Sequence, residues 1–435
     1  SRIKGSRLST EQASCCLDKQ NNNDGSLKQN FIYVAIANVI NALCLWGILV
    51  SIAHLGSAEL LGQFSFGLAL SAPVIMFFNL NLRSILATDS LSTYPFAIYF
   101  TLRVVLVLVA LACILVTVKV LDISYEKEMI IVLIALAKSA EAVSDIIQGF
   151  FLQHSKMNWL AVSRISHGVV ALAAIAISLW LTKSMLVACI SMSAGWFTLL
   201  LILDLPLAKR IHSNSNRPFI LFRYDFKALR KLSRLALPLG FVMLLVSLNG
   251  NIPRYFVDGY LGEEKLGIFA ALLYLIVAAS QVVMALWQTV SPRLAKLYNS
   301  GDLSGFKRLF LKMTFIAIAF GMLGMLFAVF VGEPVLGLAY GEEYTSYSNV
   351  LVVLMAATPF LFLSSLCGHG LTAIRKLDEQ IPLGLFFVSV KGLSCWLLVP
   401  GYGLTGVAWA VFIATVVQVP PKLWLLNKAI TKGGV

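Results

Sequence analysis

The sequence predicts an all-α, polytopic membrane protein. It is 59% hydrophobic and only 13% charged, and its mean hydropathy is +0.84, whereas about a quarter of the residues in soluble proteins are charged. Twelve separate apolar stretches lie between Phe31 and Leu426. A bilayer core needs about 20 apolar residues of helix, and only helices or closed barrels satisfy their backbone there. Most of the chain is therefore expected to lie in the membrane.

Each apolar stretch is long enough to cross the bilayer as one helix. The predicted spans are 31–53, 64–86, 96–118, 128–152, 160–181, 185–205, 235–257, 266–290, 313–331, 349–374, 381–399 and 404–426.

The basic residues predict the orientation. With a cytoplasmic N-terminus, the inward segments carry 25 of the 34 Lys and Arg residues and the outward loops carry five. Because cytoplasmic loops are enriched in Lys and Arg, both termini are expected to face the cytoplasm. The net charge of +13 is explained by these loops, so we do not expect nucleic-acid binding.

The charge pattern also divides the chain into two halves. Residues 1–30 form a polar cytoplasmic tail, 31–205 an N-lobe with six helices, 206–234 a basic cytoplasmic linker, and 235–435 a C-lobe with six helices. A weak internal repeat supports this division. Leu61-Gly62-Gln63-Phe64 after the first span recurs as Leu266-Gly267-Ile268-Phe269 after the seventh, which predicts lobes related by an axis along the membrane normal.

Several ionisable side chains lie inside the predicted spans. Each costs at least about 2.5 kcal/mol at mid-membrane, so such residues are expected to face a wet cavity or one another. Lys138, Glu141 and Asp145 share one face of the fourth span. The candidate substrate-binding cations are Lys138, Arg254, Lys391, Arg103 and Arg164, and the candidate ion-coupling carboxylates are Glu141, Asp145 and Asp258.

Local pairing is the alternative interpretation. Lys138 with Glu141, and Arg254 with Asp258, have the i,i+3 and i,i+4 spacings at which charges neutralise each other on a helix. Lys391 has no acidic residue within a turn. No His, Cys and carboxylate residues group at ligand spacing, so we expect neither a metal site nor a cofactor.

Seven segments of characteristic order and spacing run through nearly the whole chain. They are HLGSAELLGQFSFGLALSAP (54–73), FFNLNLRSIL (77–86), AKSAEAVSDIIQGFFLQHSKMNWLAVSRI (137–165), PLGFVMLLVSLNGNIPRYFVDGYLGEEKLGIFAALLYL (238–275), SPRLAKLY (291–298), LAYGEEY (338–344) and GYGLTGVAWA (401–410). Together they resemble the polysaccharide-biosynthesis, O-antigen flippase branch of the multidrug/oligosaccharidyl-lipid/polysaccharide (MOP) exporter superfamily.

The resemblance implies a MATE-like bundle of two lobes around a central cavity. It also implies a flippase that moves undecaprenyl-diphosphate-linked oligosaccharide, such as an O-antigen unit of lipopolysaccharide, across the bacterial inner membrane by alternating access. A cavity lined with Lys and Arg suits a diphosphate. The implied partners are the lipid-linked oligosaccharide diphosphate, membrane lipids, a coupling proton or sodium ion, and the glycan polymerase machinery.

Two other functions are compatible with a polytopic chain. A multidrug or small-cation antiporter of the same superfamily would favour acidic and aromatic residues in its cavity, whereas Lys and Arg are at least as prominent here. A membrane-embedded glycan polymerase, ligase or acyltransferase would need a large extramembrane loop or a catalytic His and Asp grouping. We therefore predict a transporter and not an enzyme.

Overall fold

The computed structural model describes residues 33–34, 36–89, 93–212, 221–374 and 379–432, and this part of the chain is helical and without strands. The predicted tail, 1–30, lies outside the described residues. So does the middle of the predicted linker. The all-α, multi-pass membrane fold predicted from the sequence is confirmed.

The N-terminal half contains eight α-helices and one π-helical turn. In chain order these are α1 Ile36–Leu55, α2 Ala58–Phe78, α3 Leu82–Thr88, α4 Phe96–Val120, α5 Tyr125–Gln153, α6 Met157–Thr182, α7 Met185–Leu199, the π turn Leu200–Asp204, and α8 Leu205–His212. We call the end of the bundle near His54 the outer end and the end near Gln153 the inner end, after the predicted orientation.

The C-terminal half contains six α-helices. They are α9 Phe226–Leu261, α10 Glu263–Asn299, α11 Leu303–Tyr340, α12 Ser348–Ala356, α13 Thr358–Ala373 and α14 Gln380–Lys432, with a 3₁₀ turn, Glu342–Tyr347, before α12. The two last predicted spans are joined in α14, which bends at Gly403, where φ is 56° and ψ is −137°.

Nine helices of the described chain are long and apolar enough to cross a membrane. They exclude α5, whose inner half carries the predicted stripe of charges, and α10, and they count the bent α14 once. Twelve separate crossings remain the prediction.

Two differences between the predicted and observed boundaries concern the second span and the linker. The second span begins earlier, at Ala58, and is interrupted at Asn79–Asn81, where Leu80 and Asn81 have φ of 47° and 50°. Asn accepts this left-handed backbone more readily than apolar residues do. The predicted linker is also partly helical, because α9 begins at Phe226, with the Asp225 carboxylate capping the Ala228 amide at 3.1 Å.

One cluster of buried side chains joins the two halves at the outer end, where it includes Leu61 of α2 and Leu266 of α10. Near the inner end a second cluster packs Leu232 and Ala236, at the start of α9, on the N-terminal half. A third cluster lies within the C-terminal half. Hydrogen bonds also cross between the halves at the outer end: Trp46 Nε1 donates to Tyr340 Oη at 3.0 Å, and His54 contacts the Ala339 carbonyl at 3.0 Å. The outer end is closed in this conformation.

The repeat found in the sequence lies at this closure. A Cβ atom added to Gly62 would lie 1.9 Å from the Glu263 carbonyl oxygen, and one added to Gly267 would lie 1.8 Å from the Ala58 carbonyl oxygen. Helices α2 and α10 therefore cross backbone to backbone at the two repeated glycines, the close approach that small residues permit between membrane helices.

Candidate functional site

The inner half of the bundle contains three neighbouring polar cavities, which we call the polar chamber. Their volumes are about 510, 270 and 220 Å³, and Asp145 lines all three. Most of the wall comes from α1, α2, α3, α5 and α6. Met243 of α9 and Gln281 of α10 contribute from the other half. The chamber therefore lies where the two halves face each other, on the side opposite the closed outer end.

Two features of the sequence build this wall. The stripe predicted on α5 is present, because Lys138, Glu141 and Asp145 all line the chamber. The break after α2 turns the chain, so that Asn79 and Arg83 line the chamber beside them. The polar run Asn79-Leu-Asn81-Leu-Arg83 at the end of an apolar span is the signal by which Arg83 could have been found.

Asp145 holds two arginines. Its carboxylate accepts from Arg83 Nη1 at 3.1 Å and from Arg103 Nη2 at 3.3 Å. Arg103 is fully buried and also donates to the Asn79 amide oxygen. Arg103 thus stands behind the chamber wall and orients Asp145 and Asn79, instead of facing the chamber as a predicted substrate-binding cation would.

The predicted pair of Lys138 and Glu141 is present. Lys138 Nζ lies 2.7 Å from Glu141 Oε2, and the side chains are 26% and 47% exposed. Lys138 also lies over the Trp196 ring, 5.3 Å from its centroid. Lys138 lines the chamber, but its charge is largely compensated by Glu141.

Arg164 differs from the other cations of the chamber. It lines two of the cavities, and its guanidinium donates to two neutral acceptors, the Asn38 amide oxygen and Gln148 Oε1, the latter at 3.3 Å. In the described chain no carboxylate lies within ion-pair distance of it. Arg164 therefore presents to the chamber a guanidinium without a direct ion pair, although Asp145 and Glu141 lie near enough to attract it.

The alternative pairing of Arg254 with Asp258 is wrong. Asp258 lies at the outer end of α9, where both its oxygens accept from Lys127 Nζ of α5, at 2.9 and 3.0 Å. Lys127 also contacts Glu263 at 3.0 Å and is 9% exposed, although the sequence placed it in an outward loop. Asp258 belongs to an ion cluster that joins the two halves, remote from the chamber.

Arg254 and Lys391 lie in the C-terminal half, away from the polar chamber. Arg254 donates to Asn251 Oδ1 at 2.5 Å, and its Nε is buried without a partner in the described chain. Lys391, on the first part of α14, is 7% exposed. Neither residue forms an ion pair with a described carboxylate, and the described cavities are not lined by them.

A fourth cavity, of about 400 Å³, lies between α9, α13 and α14, and we call it the apolar chamber. Leu, Val, Met and Phe side chains form most of its wall. Its cation is Lys422, whose Nζ donates to Ser364 Oγ at 2.7 Å and lies 5.2 Å from the centre of the Phe387 ring. Met243 lines both this chamber and the polar chamber. In the sequence, Lys422 is one of several basic residues of an inward segment, and nothing distinguishes it from the others.

One more residue of the chamber was not singled out from the sequence. His167 lines the polar chamber and bonds the buried Asp204, whereas the sequence showed only a histidine well inside a span. The described residues contain no group of three or more His, Cys, Asp or Glu that could hold a metal ion.

The chain is similar to known proteins over most of its length. A family model described as polysaccharide biosynthesis protein matches residues 27–298. The capsular polysaccharide biosynthesis protein CapF of Staphylococcus aureus is 26% identical over 392 residues, which are 89% of this chain and 96% of CapF.

Solved structures of MOP superfamily transporters share the fold. An inward-facing multidrug resistance MATE family transporter superposes with a TM-score of 0.73 at 11% identity, covering 92% of this chain and 98% of that one. A MOP superfamily transporter from Pyrococcus furiosus, described as having a binding pocket of reversed polarity, gives a TM-score of 0.67 at 14% identity, covering 94% and 97%.

Proposed function

Because this chain belongs to the polysaccharide biosynthesis protein family, we propose that it is a flippase for a lipid-linked oligosaccharide diphosphate. It would act by alternating access in the bacterial inner membrane, with both termini in the cytoplasm and without chemistry of its own. The expected partners are the lipid carrier, the surrounding lipids, a coupling ion and the polymerase that receives the glycan.

The observation that carries this proposal is the environment of the Arg164 guanidinium in the polar chamber. A diphosphate entering the polar chamber from the inner end meets one guanidinium that forms no ion pair with a described carboxylate. Arg83 and Arg103 share the single negative charge of Asp145, and Lys138 pairs with Glu141, so the cations at the chamber outnumber its carboxylates. Since a guanidinium binds phosphate oxygens with two parallel hydrogen bonds, Arg164 is suited to hold the anionic group.

The rest of the chamber suits the other parts of such a substrate. Asn, Gln and Ser side chains on the wall can hydrogen-bond sugar hydroxyls, as Asn38, Asn41 and Gln148 would. The apolar chamber adjoins at Met243 and offers an apolar wall with Lys422 near it. A molecule with a polar glycan, a phosphate junction and an apolar chain finds all three surfaces on one side of the closed outer end.

The test is flipping by the purified protein in liposomes that contain a diphosphate-linked glycolipid. Arg164→Gln should lower the flipping rate at low substrate concentration by about tenfold or more, because a hydrogen bond to a charged group contributes about 1.5–3 kcal/mol. Lys119→Gln is the matched control, since Lys119 is 73% exposed at the outer end and pairs with Glu128.

Two results would contradict the proposal. Flipping by Arg164→Gln at the wild-type rate would remove Arg164 from the binding site. Transport of cationic dyes, together with no movement of the glycolipid, would favour an antiporter for small cations instead.

A further inference from the structure

His167 and Asp204 form a buried pair that the proposed transport path does not use. His167 Nε2 lies 3.0 Å from Asp204 Oδ2. The Asp204 side chain is fully buried and that of His167 is 8% exposed. In the part of the chain that the structure describes, His167 is the only side chain that bonds Asp204. The carboxylate therefore has no permanent cation beside it.

The remaining polar atoms of the pair are unsatisfied. His167 Nδ1 and Asp204 Oδ1 are both buried and have no hydrogen-bond partner among the described residues. Without a bound proton the pair is a lone buried negative charge, which is costly in a dry environment. Binding one proton makes the pair neutral overall, either as imidazolium with carboxylate or as imidazole with carboxylic acid. The pair is thus built to take up and release one proton.

The backbone around Asp204 is unusual in the same place. Asp204 ends the π turn Leu200–Asp204 between α7 and α8. Single π turns inside helices occur frequently at functional sites, because the extra residue redirects a side chain. Here the turn brings Asp204 to α6, and α6 is held to α7 a second time by Trp196 Nε1, which donates to the His167 carbonyl at 3.0 Å.

His167 places the pair beside the polar chamber. It lines the 220 Å³ cavity together with Arg83, Glu141, Asp145 and Arg164. Among the charged groups on neighbouring elements, Glu141 is paired with Lys138 on α5. Lys209 and Arg210 lie on α8, about one and a half turns beyond Asp204. Because Nδ1 is buried in this conformation, a rotation of the imidazole toward the cavity is required to pass a proton between the chamber and Asp204.

Resting on the proposed transport function, we propose that the His167–Asp204 pair is the proton-binding site that couples the flippase to a proton gradient. This differs from the candidates predicted from the sequence, Glu141, Asp145 and Asp258, each of which is held by a basic side chain. A carboxylate held by Lys or Arg is already neutralised, whereas Asp204 depends on a titratable partner.

The first experiment measures coupling in liposomes with an imposed pH difference. One coupled proton makes each pH unit worth about a tenfold change in the ratio of glycolipid between the leaflets at steady state. His167→Gln and Asp204→Asn should abolish this dependence on the gradient while retaining equilibration of the glycolipid without a gradient. His154→Gln is the control, because His154 is exposed at the inner end of α5 and bonds the Phe150 carbonyl of its own helix. Wild-type gradient dependence in both site variants would overturn the proposal.

The second experiment needs no substrate and separates the proton site from the transport function. Nitrogen NMR of the five histidines in the full-length, reconstituted protein should include an imidazole signal of His167 that responds to pH. That signal should disappear in His167→Gln and shift its midpoint in Asp204→Asn. If it does so although no glycolipid moves, the proton site stands and the proposed substrate is wrong. A His167 signal that does not change with pH would exclude the site.

Discussion

The crossing of α2 and α10 allows a direct test of how the outer end closes. At Gly62 and Gly267 the two helices touch through their backbones, so even one methyl group at either position cannot be accommodated. We expect Gly62→Ala to prevent full closure of the outer end and so to favour the state in which the outer ends of the two halves are separated.

The size of the effect follows from the contact distance. An added Cβ would lie 1.9 Å from the Glu263 carbonyl oxygen, whereas ordinary contacts begin at 3.4 Å. The helices must therefore separate locally by about 1.5 Å. Overpacking of this kind costs about 1–3 kcal/mol. If that cost falls on the closed state alone, it changes the ratio of the two states by about 5–150-fold.

Distances between spin labels would measure this shift. Val120 and Leu338 are exposed at the outer ends of the two halves, with side chains 78% and 86% exposed, and are suitable label sites in a cysteine-depleted background. Gly62→Ala and Gly267→Ala should both lengthen the distance between the labels. Gly259→Ala is the matched control, because a Cβ there would have no atom within 4 Å.

Two results would contradict the proposed role of the α2–α10 crossing. An unchanged distance in a well-folded Gly62→Ala protein would show that the crossing does not limit closure. A longer distance in Gly259→Ala as well would show that the change reflects glycine replacement in general and not this contact.

Three further predictions concern ion pairs and the loop before α4. Lys127→Met should also lengthen the distance between the labels, because it leaves Asp258 unpaired at a buried contact between the halves, a loss of about 3 kcal/mol; a lower thermal stability at unchanged distance would refute this reading. Arg103→Leu should lower the thermal unfolding temperature in detergent by the equivalent of about 1–3 kcal/mol, since Asn79 and Asp145 each lose a donor. An unchanged unfolding temperature would count against the role of Arg103 in orienting them. Burial by itself would raise the pKa of Asp89, but hydrogen bonds from Thr93, Tyr94 and Tyr99 outweigh it and lower the pKa below its ordinary value. The stabilisation of this loop is therefore present above the ordinary Asp pKa and is lost as the pH falls through the lowered one. The protection factor of the Thr93 amide, which corrects its exchange rate for the intrinsic pH dependence, should fall on acidification in the wild type and should be low at all pH values in Asp89→Ala.

The fold could be predicted from the sequence because the membrane leaves few alternatives. Apolar length located the helices, closely at α4, where span 96–118 corresponds to Phe96–Val120, and less closely at α11, where span 313–331 lies inside Leu303–Tyr340. The face shared by Lys138, Glu141 and Asp145 followed from helical geometry alone. The repeat at Gly62 and Gly267 was visible in the sequence, but the contact between the two helices there was not predicted.

The sequence by itself therefore determined the fold class and the stripe of charges on α5, since these depend on local periodicity and on the cost of polar groups in hydrocarbon. Only the tertiary structure decided which cations are compensated. Arg103 and Lys127 form ion pairs with carboxylates that lie 42 and 131 residues away in the chain, whereas Arg164 forms no ion pair with a described carboxylate. It also brought His167 to Asp204, 37 residues apart, through a π turn. Charge compensation depends on distances across helices, and those distances exist only once the helices have packed.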